Sequence, residues 1–256
     1  MFDYRGLHDA LFLMLYIGTG VLAMLATLYL LLRRRNLFMR ESTTDGGRMV
    51  LAPNGEAVRL GHARRSCRRL RRWTAAALAA MALSHVWWYG VGQWWLADDH
   101  LVRTLLVIML DHSTLVPLLM GVLLSMLQDR RRPLWPWLLV QVPVAVLGAV
   151  GMAQRSWLLG YTLAHWWQLG SIAVFIAYYI LALRQYGRWL LMNYADLEHK
   201  QVWQSLALAL VFFAIYELYT SNMGALSREY LSQVLTVAIV AFLVWRAETL
   251  EELDSG

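Results

Sequence analysis

Long apolar runs broken by short polar segments set the pattern of this chain. A membrane-crossing helix needs roughly 20 mostly apolar residues, and seven runs approach or exceed that length, at about 8–32, 73–96, 101–127, 134–153, 157–183, 203–220 and 229–245. The breaks are Arg33-Arg34-Arg35, Ala97 to His100, Asp129 to Pro133, Ala153 to Ser156, a polar segment over 184–202, and Ser221 to Glu229. The pattern predicts an all-α, polytopic membrane protein of seven transmembrane helices in one domain, 1–256. Residues 33–72 are the only sizeable insert. Within it, RMVLAPNGEAVRL alternates around Asn54-Gly55, a strong hairpin signal, which predicts a two-stranded ribbon over 48–60. HARRSCRRLRRW reads as a basic helix entering the second run, anchored by lipid head groups or by a partner domain.

Composition agrees with the bilayer. The chain is 59% hydrophobic and 16% charged, against about 25% charged in soluble domains. Its 13 Trp suit the interfacial belts where Trp gathers. The leader lacks a basic n-region and the first run is too long for a signal-peptide core, so an uncleaved first helix is expected. Direction follows from charge. With the N-terminus outside, the inner segments hold 19 of the 23 Lys and Arg, and the outer segments hold only Arg5, Arg103, Arg155 and Arg228. Cytoplasmic loops carry the positive excess, so the N-terminus is expected outside and the C-terminus in the cytoplasm. The formal charge of +6 is then explained by topology and anionic lipid, and direct nucleic-acid contact is not expected. The lone Cys67 excludes an intrachain disulfide.

The apolar runs contain a polar layer. A charge at mid-bilayer costs about 2.5–3.5 kcal/mol on the insertion scale, so such groups face the bundle interior and find partners. At 1.5 Å per residue, Asp111 and His85 lie roughly 15–16 Å from the outer face, His165 about 12 Å, Gln141 about 18 Å, and Glu217 and Gln233 about 5–6 Å. His–Trp–Trp occurs twice, in SHVWWYG (84–90) and AHWWQLG (164–170). Pro117 removes a donor from the carbonyl of Ser113, which predicts a kink just beyond Asp111–Thr114. Ser113 and Thr114 then serve either to satisfy that backbone or to face a ligand, and Asp111 is expected to pair with His85 or His165 or to receive a ligand. The candidate pocket comprises His85, Trp88, Tyr89, Asp111, His112, Thr114, Gln141, His165, Trp166, Trp167, Gln168 and Glu217. Trp88, Trp166 and Trp167 would be its walls and Glu217 its mouth. The competing reading is an outer aromatic belt with packing histidines.

These groups constrain the chemistry. No H-x-x-x-H or E-x-x-H spacing appears, so no metal and no cofactor is assigned, although an intramembrane metal or haem enzyme stays open. The only lysine, Lys200, lies in an inner loop, which excludes a membrane Schiff base. Ser84-His85 are consecutive and do not face one another, which disfavours a hydrolase. A small-solute transporter stays open, against an almost wholly apolar inner half. No catalytic role is expected of this region.

NYADLEHKQVW (193–203) and WRAETLEEL (245–253) resemble segments of multi-span membrane sensor regions in bacteria. Those regions precede an AraC-type helix-turn-helix domain or a sensor histidine kinase core. The resemblance implies a signal-sensing, receptor-like input domain, homodimeric and multi-pass in the bacterial inner membrane. It would take a small molecule from the periplasmic side and pass a conformational change to a cytoplasmic output. The chain departs from the pattern in carrying no output domain before Gly256, so residues 246–256 are expected to begin a cytoplasmic linker helix.

Overall fold

The structure is a computed structural model of the chain. It describes residues 7–32, 49–51, 57–59, 67–91, 99–193, 202–220, 225–250 and 253. Of residues 7–9, 49–51, 57–59, 212, 214–220 and 225–229 it describes the backbone alone.

Seven α-helices form among the described residues: α1 (Leu7–Leu32), α2 (Arg68–Gly90), α3 (His100–Met126), α4 (Trp135–Ala153), α5 (Ala164–Asn193), α6 (Gln204–Thr220) and α7 (Ala225–Thr249). Two short strands, β1 (Met49–Leu51) and β2 (Ala57–Arg59), pair antiparallel with Val50 opposite Val58. The turn between them lies outside the described residues. Five helical stretches are long and apolar enough to cross a membrane: Ala10–Leu32, His100–Met126, Trp135–Ala153, Leu158–Asn193 and Tyr230–Thr249. The other two fall short for visible reasons. α2 opens on RRLRR and owes its apolar length largely to alanine, while α6 has only 17 residues.

Successive helices pack on one another from α1 to α5. α7 returns to close the bundle against α1, α2 and α6. α3 is the most enclosed helix, with every residue from Leu119 to Leu127 buried. Around it lie Leu70, Leu78, Phe175, Tyr179, Tyr186, Leu243 and Ala247, so the tight apolar core sits at the Arg-rich end of the bundle. At that end Trp73 lies on Gly121, where an added Cβ would meet the indole at 2.6 Å. The Tyr179 hydroxyl is 2.5 Å from Ser205 Oγ, joining α5 to α6.

The expected fifth run differs in two ways. It begins as a π-helical segment, Leu158–Leu163, and its helix continues to Asn193, beyond the apolar stretch. The turn before it is tight: Gly151 and Gly160 approach so closely that a Cβ on Gly151 would lie 2.2 Å from the Gly160 Cα. Lipid supplies little apolar drive between helices, so small residues that admit close backbone contact do that work. Extra width in the π turn lets the chain pass this contact and re-enter α geometry at Ala164.

α3 runs unbroken through Pro117. The Thr114 hydroxyl donates 2.8 Å to the Leu110 carbonyl, one turn above the Ser113 carbonyl that the proline leaves without its donor. At the C-terminus, helix ends at Thr249. Leu250 and Leu253 then turn back onto the bundle: Cys67 N–H donates 3.1 Å to Leu250 O, and Leu253 N–H donates 2.9 Å to Gln128 Oε1. Most of the expected linker beyond α7 lies outside the described residues.

Candidate functional site

The polar residues of the spans do not share one cup. They divide into three sets held by different helices.

The first joins α1, α2 and α7. Thr19 Oγ1 lies 2.5 Å from Gln233 Oε1 and 3.1 Å from His85 Nε2. His85 Nδ1 lies 2.8 Å from the Met81 carbonyl, which can only accept, so Nδ1 carries a proton. The Thr19 hydroxyl also lies 3.0 Å from the Tyr16 carbonyl of its own helix, so this one group stands at the centre of contacts from α1, α2 and α7. Tyr16 holds the ring from α1: its hydroxyl donates 2.9 Å to the His85 carbonyl, and the two ring centroids lie 4.6 Å apart with the planes tilted by 42°. Gly20 makes room, since a Cβ there would meet His85 at 3.2 Å.

The second set joins α2 and α3. Asp111 is buried, and its two oxygens accept from Trp87 Nε1 at 2.9 Å and Trp88 Nε1 at 2.7 Å. Each indole has one donor and a large apolar body, so the pair shields the carboxylate while satisfying it. This corrects the expectation that Asp111 pairs with His85 or His165. It also corrects Trp88, which binds Asp111 rather than walling a shared pocket. Consecutive Trp87 and Trp88 can both reach because long side chains sweep beyond their own helical position.

The third set lies among α3, α4, the π-helical segment and α5. His112 and His165 border a cavity of about 10 Å³, completed by Ile108, Met109, Val144, Gly148, Gly160, Tyr161 and Ala164. That is about the space one water requires, too small for an organic ligand. His112 Nδ1 lies 2.7 Å from Ile108 O. Tyr161 stacks between Trp157 at 4.5 Å and His165 at 5.5 Å.

Gln141 and Gln168 lie a helical turn from this cavity, on the buried faces of α4 and α5. Both are buried, and neither side-chain amide has a hydrogen-bond partner among the described residues. Thr114 is half-buried and bonds its own helix. Tyr89, Trp166 and Trp167 point out of the bundle, 40%, 65% and 48% exposed. Trp166 and Trp167 are therefore not pocket walls, because their helical positions flank the buried face set by Ala164, Gln168 and Ser171. Trp167 instead donates 2.9 Å to Val140 O, next to the carbonyl of Leu139 that Pro143 deprives of a helical donor. The Glu217 side chain lies outside the described residues.

Sequence reasoning passed over Thr19, Trp87, Met109, Pro143 and Tyr161. Trp87 and Pro143 carried a signal, the first beside Trp88 and the second inside an apolar run. Thr19, Met109 and Tyr161 resemble ordinary span residues until the helices are rotated into contact.

Among the described residues, no group of three or more His, Cys, Asp or Glu could hold a metal ion. The chain matches no known family, no curated protein and no solved structure.

Proposed function

We propose that the chain is a seven-span, N-outside membrane input domain that senses a signal and transmits it by movement of α7 relative to α2. One observation carries this reading: the same two helices are bound by polar contacts near both ends. Toward one end stands His85–Thr19–Gln233. At the other, Arg71 Nη1 is 3.1 Å from Glu248 Oε1, and Cys67 bonds Leu250. A displacement that alters the first contact is felt at the second, because packed helices move as units rather than bend freely.

Charge supports the orientation. Arg68 to Arg72 and Arg130 to Arg132 meet at one end, where Arg69 donates 3.3 Å to Arg132 O and Asp129 binds Arg132. Arg155 and Asp99 pair at the opposite end at 2.9 Å. The Arg-rich end would face the cytoplasm, and α7 ends there at Thr249. On this reading α2 and α6 cross the bilayer despite their shorter apolar stretches, sheltered by their neighbours. The setting is a bacterial inner membrane, the assembly a homodimer, and the stimulus a small molecule arriving from the periplasmic side. The cup predicted from sequence is replaced by a lever.

The test joins a helix-turn-helix or kinase reporter after Gly256 and compares wild type with Thr19→Val, Asp111→Asn and Arg71→Met. Altered reporter output per inserted molecule, normalised to membrane abundance, is expected in each. Unchanged output in all three overturns the sensor reading, and solute flux in proteoliposomes would replace it with transport.

A further inference from the structure

We infer that the cavity between α3, α4 and the start of α5 is a site for one soft monovalent cation of the copper(I) class, held by His112, His165 and Met109. All three residues line the same water-sized space. His112 and Met109 come from α3, and His165 comes from α5.

The donors are prepared for a metal. His112 Nδ1 lies 2.7 Å from a backbone carbonyl, so it carries the proton and Nε2 is the basic nitrogen. Metal-binding imidazoles are held this way, with the second ring nitrogen donating to a carbonyl or carboxylate. His165 is oriented by its stack on Tyr161, with ring planes 14° apart. Met109 Sδ lies over Gly148, where a Cβ would press on it at 3.1 Å, so this glycine leaves room for the thioether.

Size and charge narrow the occupant. A space of about one water admits a single ion and excludes organic molecules. The lining holds no carboxylate and no thiolate. The adjacent acid, Asp111, is occupied by Trp87 and Trp88. Neutral donors leave the ion's charge uncompensated, and the desolvation cost rises with the square of that charge, which disfavours a divalent ion. Thioether with imidazole is a soft set that selects copper(I) over magnesium, calcium or manganese. Asp, Glu, His and Cys spacing in the sequence gives no hint of such a site, because one donor is a methionine and the two histidines, 53 residues apart in sequence, arrive on different helices.

This inference does not depend on the sensor reading, since binding is measured on the protein alone. The whole chain in nanodiscs is titrated anaerobically with copper(I) against a chromophoric copper(I) chelator, and with silver(I) as a redox-inert surrogate. One equivalent per chain is expected, with nitrogen and sulfur neighbours in X-ray absorption. Met109→Leu, which keeps volume, should weaken binding at least about tenfold and remove the sulfur signal. His165→Asn should weaken it as well, while Met14→Leu, on the exposed face of α1, should change nothing. Absence of stoichiometric binding overturns the proposal. So does equal affinity in folded Met109→Leu and His165→Asn protein, which would assign the metal to surface groups.

Discussion

Arg71 and Glu248 form an ion pair, 3.1 Å from Nη1 to Oε1, that ties the first turns of α2 to the last turn of α7. The Glu248 side chain is wholly buried and that of Arg71 is 13% exposed. Arg71 also donates through Nε to the Leu30 carbonyl at 2.7 Å, so one guanidinium gathers the ends of α1, α2 and α7. A buried pair of this kind adds little over a well-packed apolar pair, but losing one partner is severe.

Arg71→Met should therefore lower stability by about 3–5 kcal/mol, by stranding a buried carboxylate. The double variant Arg71→Met/Glu248→Leu should recover most of that loss. Thermal unfolding of the three proteins in one detergent checks both expectations.

Thr19 is the hinge of the polar set shared by α1, α2 and α7, because its single hydroxyl contacts both His85 and Gln233. Thr19→Val keeps the shape and leaves both partners short of a bond, at a cost of about 1–3 kcal/mol. Thr19→Ser keeps the hydroxyl and should stay close to wild type. Unfolding midpoints separate the two outcomes.

Trp87→Phe and Trp88→Phe each remove one donor from Asp111. Either should destabilise by about 1–3 kcal/mol, since the carboxylate is buried and keeps only part of its satisfaction. The pair should behave non-additively, because both indoles serve one acid. A double-mutant cycle on stability measures the coupling.

Gly160→Ala should be more damaging than a surface glycine replacement such as Gly187→Ala. A Cβ at Gly160 would meet Leu105 at 2.6 Å and the Gly151 Cα at 3.2 Å, whereas none meets Gly187 within 4 Å. Overpacking of this kind costs about 1–3 kcal/mol. The thermal midpoint should fall for Gly160→Ala and hold or rise for Gly187→Ala, which lies inside α5, where Ala is favoured over Gly by about 0.5–1 kcal/mol.

Gln168 is fully buried, and its amide bonds no described residue. Gln168→Met replaces that amide by an apolar chain of similar size and should raise the thermal midpoint by about 2–4 °C per kcal/mol gained. Buried polar groups without partners typically cost about 1–3 kcal/mol. Thermal unfolding in the same detergent checks the direction.

The helices were legible because a hydrocarbon environment demands long apolar stretches, and seven such runs stand near α1 to α7. Span count was less legible: α2 and α6 carry too little apolar length by themselves, and their fitness to cross depends on neighbours. Asn54-Gly55 marked the place where Met49–Leu51 and Ala57–Arg59 pair.

The sequence by itself determined the helical class and the end of the bundle at which arginine gathers, because these depend on composition and position along the helices. Tertiary structure alone decided which groups meet. Depth fixes height along a helix but not rotation about it or the identity of the neighbour. Asp111 therefore met two indoles on α2 instead of a histidine, His85 met Thr19 and Gln233, and Trp166 and Trp167 turned outward from a face that Gln168 occupies.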